Sequence, residues 1–136
     1  MLSVTLISGR DQVRMKEQLD KVVGAAQTSK EPVLVEVLVH PWATMHVADA
    51  VHNFVRVVRR LAGMRSVNTR LIVLTSQDWA FNVIGEVIAT KPSIVNKDSV
   101  EVFMCEKGTV KRHVYNDRGF LVDWHIGYFT YDTLDL

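Results

Sequence analysis

The stretch LVEVLVHPWATMHVADAVHNFV, residues 34–55, decides the fold. It passes from an unbroken β-branched run to a long amphipathic one through a His-Pro step, and so reads as strand, sharp turn and helix. Val33 to Val39 is continuous rather than alternating, the pattern expected of a parallel strand covered on both faces. Pro41 suits the first turn of the helix, where its missing N–H has no intrahelical use. From there Val47, Val51, Phe54, Val55, Val58 and Leu61 recur at helical spacing to about Ala62, and Gly63 ends the helix. Glu36 is the one acid between Pro32 and Asp49, a carboxylate that needs a reason.

Working outward, LSVTLI at 2–7 suits a strand, and Gly9 breaks the chain before a helix from Asp11 to Ala26 carrying Val13, Met15, Leu19, Val22 and Val23. Arg70 to Leu74 is a third strand, and Asp78 to Ala89 a third helix closed by Pro92. Val100 to Cys105 is a fourth strand, and Gly108 turns the chain into a fifth, Thr109 to Tyr115. The order β-α-β-α-β-α-β-β predicts an α/β fold, with a largely parallel sheet, flanking helices and a C-terminal antiparallel hairpin. At 136 residues a single domain, 1–136, is expected.

The 16 basic and 15 acidic residues leave +1, which argues against nucleic-acid binding by bulk charge. Cys105 is the single cysteine, so neither an intrachain disulfide nor a multi-cysteine metal site forms, and a reducing, cytoplasmic setting is expected. No apolar run approaches a membrane span, and no membrane partner is expected. His40, His46 and His52 recur every six residues, about 120° out of alignment on a helix, so no metal site is expected from them.

Three fragments carry a resemblance. VEVLVHP at 35–41 sets a glutamate ahead of His-Pro at a helix start, LIVLTSQDWAFN at 71–82 ends a strand in Thr75 with Asn82 beyond it, and SGRDQV at 8–13 supplies Gly9, Gln12 and Val13. DWHIGYF at 123–129 adds an aromatic tail. Together, in this order, they resemble the C-terminal lobe of ABC-type ATPases, specifically the bacterial AAA-like class related to the overcoming-lysogenization-defect and SMC families, which abound in phage-defence operons. The resemblance implies half of an ABC-type ATPase domain. It also implies that Glu36 stands for the catalytic acid, Ser76 for the switch His, and Gly9 and Gln12 for signature residues facing a nucleotide.

The departures matter more than the matches. ATP hydrolysis in this class needs a phosphate loop, and no G-x-x-x-x-G-K-[ST] occurs in the chain. Ser76 stands where the switch His would be, and Asp11 where the signature Ser would be, so a negative charge replaces a phosphate donor. Glu36 has no second adjacent carboxylate. These losses imply a degenerate pseudoenzyme: a non-catalytic interaction subunit without cofactor, pairing with a full-length ATPase or an effector nuclease.

Simpler readings stand beside these. Glu36 suits a strand acid paired with a nearby Arg, and TSQD at 75–78 suits a helix cap, Ser/Thr-x-x-acid. Arg56, Arg59 and Arg60 cluster near the end of the long helix; they suit either dipole compensation or contact with a partner. Two alternatives to the interaction subunit follow: a nucleic-acid-binding module built on those arginines, or a lobe completing a partner's ATP site in trans through Glu36, Gly9 and Gln12. Homo-oligomerisation is a further option, though no heptad seam points to it.

Overall fold

The computed structural model describes residues 1–122. The aromatic tail, with Trp124, Tyr128 and Phe129, lies outside the described residues. Strands β1 (Leu2–Gly9), β2 (Val33–Val39), β3 (Asn68–Leu74), β4 (Val100–Glu106) and β5 (Thr109–His113) form one sheet in the order β2-β3-β1-β4-β5. All neighbours run parallel except β4 and β5, which form the antiparallel hairpin turned at Lys107 and Gly108. The α/β architecture is therefore the one the element order implies.

Helices α1 (Gln12–Gln27), α2 (Val47–Ala62) and α3 (Trp79–Thr90) take opposite sides of the sheet. The period-two alternation of a strand assigns the faces. Ile7, Ile72, Leu74 and Cys105 meet Met15, Leu19 and Val22 of α1. Leu6, Leu71, Val73 and Val102 meet Phe54, Val58, Leu61, Ile84 and Ile88 of α2 and α3. Trp79 is buried in that second layer, 5.4 Å and edge-on to Phe54, with Trp42 tilted beside it at 6.1 Å.

Three expectations need correction. Among the described residues β2 is an edge strand, and Leu34, Val37 and Val39 are exposed because the helix layers leave parts of both its faces uncovered. Pro41 does not open a helix: His40 and Trp42 on either side of it have φ of 46° and 52°, a left-handed turn that no helix contains. α2 begins at Val47 instead, capped by His46, whose Nδ1 accepts from Ala48 N at 3.1 Å, and Val47 faces out. Thr75 does not cap α3 in the expected way; its hydroxyl accepts from Gln77 N at 3.1 Å, a local turn, and Asp78 at the N-cap makes no side-chain capping bond.

After β5 the chain makes a second turn through Asn116–Gly119, bridged at Tyr115 and Leu121, and packs it on α3. The Tyr115 hydroxyl donates to Phe81 O at 2.8 Å, and burial pushes its pKa far up. Gly85 in α3 and Gly119 in this turn meet backbone to backbone, with no room for a side chain at either.

Candidate functional site

In an open parallel sheet the binding crevice lies beyond the carboxyl ends of the strands, where successive connections leave for opposite faces. Here β1 leads through α1 on one face to β2, while its neighbour β3 leads through α3 on the other face to β4. That rule points to the strand ends at Gly9, Arg10 and Asp11 after β1, and at Thr75 and Ser76 after β3. Thr75 is buried and its N–H donates to Ile7 O at 3.0 Å, closing the floor. Ser76 is exposed.

The turn from β1 to α1 folds onto β4 rather than into the crevice. Arg10 N and Asp11 N both donate to Cys105 O, at 3.0 and 3.1 Å. Gly9 makes this possible: its φ is +130°, and a Cβ there would lie 2.0 Å from Cys105 O. Its glycine is a packing requirement. Asp11 caps α1, accepting from Arg14 N at 3.1 Å, and its other carboxylate oxygen accepts from Gly108 N at 2.7 Å. Those two backbone donors hold its carboxyl below the usual carboxylate range. The positive end of α1, the natural seat for a phosphate, thus already holds an anion of the chain itself.

Beside this turn lies an open hollow lined by Arg10, Asp11, Gln12, Val13, Glu106 and Lys107. Arg10 Nε sits 4.0 Å from Glu106 Oε1, a buried oxygen without a hydrogen bond among the described residues. Gln12, the first residue of α1, is exposed on its rim. Cys105 is fully buried beneath, and burial, with the Asp11 and Glu106 carboxylates adding, pushes its thiol up to about 11. No group of three or more metal-ligating side chains occurs among the described residues.

The structure does not bring Glu36 and Ser76 together. Glu36 is the middle residue of β2 and pairs in register with Leu71, so Ser76 lies five residues further along, roughly 16 Å away at the usual strand rise. The Glu36 carboxylate turns instead to α2, where Arg60 Nη2 donates to both of its oxygens at 2.7 Å. Arg60 is thereby tied to the sheet. Arg56 and Arg59 carry no ion pair or hydrogen bond among the described residues, and with Arg60, Trp42, Asn53 and Val57 they line an open hollow of about 560 Å³.

Sequence reasoning missed both bonds of Asp11, although an aspartate ahead of a helical run is itself an N-cap signal. The bond from Asp11 to Gly108, ninety-seven residues on, had no local signature. No helix among the described residues is long and apolar enough to cross a membrane. No described protein family, no curated protein and no solved structure matches this chain.

Proposed function

We propose that this chain is a non-catalytic, ATPase-like interaction subunit that acts by binding another protein in the cytoplasm. One observation carries the reading: the strand-to-helix turn at the switch point is closed on Cys105 O, and its helix end is occupied by Asp11. Phosphate binding needs free backbone donors at that place. Here Arg10 N and Asp11 N are spent on Cys105 O and Arg14 N on Asp11, and the Asp11 carboxylate would repel the ligand. The mid-strand position of Glu36 and its bond to Arg60 also support the reading, because they keep the residue that the resemblance equates with the catalytic acid away from the strand ends.

The resemblance to ATPases of phage-defence operons suggests the partner, a full-length ATPase or an effector nuclease. Arg56 and Arg59 beside the half-buried Trp42 supply the contact, since Arg and Trp are enriched among residues that dominate interface energy. Calorimetry with Mg-ATP should give no heat of binding at micromolar protein. Saturable ATP binding, with turnover lost on Glu36→Gln, overturns the proposal. Purification from the native host should retain an ATPase or nuclease that the Arg56→Gln/Arg59→Gln variant loses. Salt-sensitive retention on DNA, abolished by the same two changes, would favour a nucleic-acid module instead.

A further inference from the structure

Edge strands of soluble proteins are normally protected by lysines, prolines, bulges or a covering element. β2 has none of the first three, pairs in regular register with β3 from Val33 to Val39, and leaves Leu34, Val37 and Val39 exposed. Its sequence, Val-Leu-Val-Glu-Val-Leu-Val, is a palindrome about Glu36.

We infer that β2 is the dimer interface of this chain, pairing antiparallel with β2 of a second copy about a two-fold axis at Glu36. A two-fold interface presents the same patch twice, so a residue and its mirror position must suit one another. The palindrome meets that condition at every position except the axis itself: valine meets valine and leucine meets leucine on both sides of it. Centring on Glu36 is also the only antiparallel register that keeps all seven residues in the ladder. The valines lie on the α1 face, where Val37 and Val39 are left uncovered, and the copy's Val35 and Val33 would cover them. Leu34, Glu36 and Leu38 lie on the face of α2.

The axis sets Glu36 against its own copy, and like charges directly opposite are destabilising. The structure holds the compensation in place. Arg60 engages both oxygens of Glu36 through Nη2 alone, and its other guanidinium nitrogens have no partner among the described residues. Two-fold symmetry then gives a row of Arg60, Glu36, Glu36 and Arg60 that is neutral overall. This inference is independent of the ATPase reading.

Sedimentation of the full-length chain over a range of concentrations should give a reversible dimer. Val37→Lys, at an outward position of the monomer, should give a monomer with an unchanged far-ultraviolet spectrum. Arg60→Gln should raise the dimer dissociation constant by about tenfold or more, equivalent to about 1.4 kcal/mol, and adding Glu36→Gln should restore it, which a purely structural arginine would not do. Register is read by cysteine variants: Val35→Cys and Val37→Cys should crosslink when mixed, and neither should crosslink alone. A monomer at all concentrations overturns the inference, including one whose β2 amides resist exchange because another segment of the same chain covers them. A dimer that Val37→Lys leaves intact overturns it equally.

Discussion

Gly85 of α3 and Gly119 of the turn after β5 are in backbone contact: a Cβ on Gly85 would stand 2.2 Å from Gly119 O, and one on Gly119 would stand 1.8 Å from Gly85 O. The pair fixes how closely the C-terminal turn can approach the helix. Gly85→Ala should therefore lower stability by about 1–3 kcal/mol, the usual cost of overpacking. Gly24→Ala is the control. Gly24 lies inside α1 with nothing within 4 Å of its Cβ position, so alanine there should stabilise by about 0.5–1 kcal/mol. Urea midpoints of the two variants should move in opposite directions.

Glu36→Gln and Arg60→Gln should each have a small effect on the folding of the single subunit. The pair is well formed but partly solvated, with side chains 29% and 53% exposed, and such pairs are worth about 0.2–1 kcal/mol. Urea denaturation at concentrations where the chain is monomeric checks this. A loss of several kcal/mol would mean that Glu36 does more in the subunit than meet Arg60.

Cys105 should make the protein less stable in alkali. Its thiol is raised from 9.0 to about 11 by burial first, and then by the neighbouring carboxylates. Above pH 9.0 the unfolded chain releases a proton that the native chain still holds, so stability falls as pH rises towards about 11. The Cys105→Ala variant should show a shallower alkaline decline. In native conditions the thiol should react with a disulfide reagent only at the rate of unfolding.

Asp11 works in the opposite direction. Its carboxyl is lowered by the Arg14 and Gly108 backbone donors, so its contribution is present above the ordinary 3.8 and is lost as pH falls through the lowered value. Asp11→Asn keeps an acceptor at the cap without the charge, and should flatten the acid limb of the stability profile. Asp11→Ala should lower the midpoint at neutral pH as well, because both Arg14 N and Gly108 N lose their acceptor.

The order and type of the elements were legible because α1 and α2 carry a helical period, β2 is an unbroken β-branched run, and glycine or proline punctuates the chain between elements. Met15, Leu19 and Val22 face one layer, and Phe54, Val58 and Leu61 another. The position of β2 was not legible, since a run of valines looks the same in a central strand as in an edge strand; only pairing across the sheet distinguishes them. The start of α2 was misplaced because Pro41 fits a first helical turn as well as it fits the left-handed turn between His40 and Trp42. Glu36 could be read as a strand acid paired with an arginine, as it is, but Arg60 could not be singled out as that arginine, because twenty-four residues separate them. Asp11 shows the same limit: its cap is local, while its bond to Gly108 spans ninety-seven residues.

The place of β1 also bears on how the molecule assembles. It precedes the other four described strands in sequence, yet both of its neighbours come late: Thr69 to Leu74 on one side and Val100 to Cys105 on the other. Its ladders close only after long loops have been ordered, which is the slow class of contact. The unit β2-α2-β3, by contrast, is contiguous in sequence and has its own parallel ladder. It should gain protection first in pulse-labelled hydrogen exchange, with β1 inserting afterwards between β3 and β4. Until it does, Leu2, Val4 and Leu6 are an apolar strand without a partner, the segment of a nascent chain that a chaperone would hold.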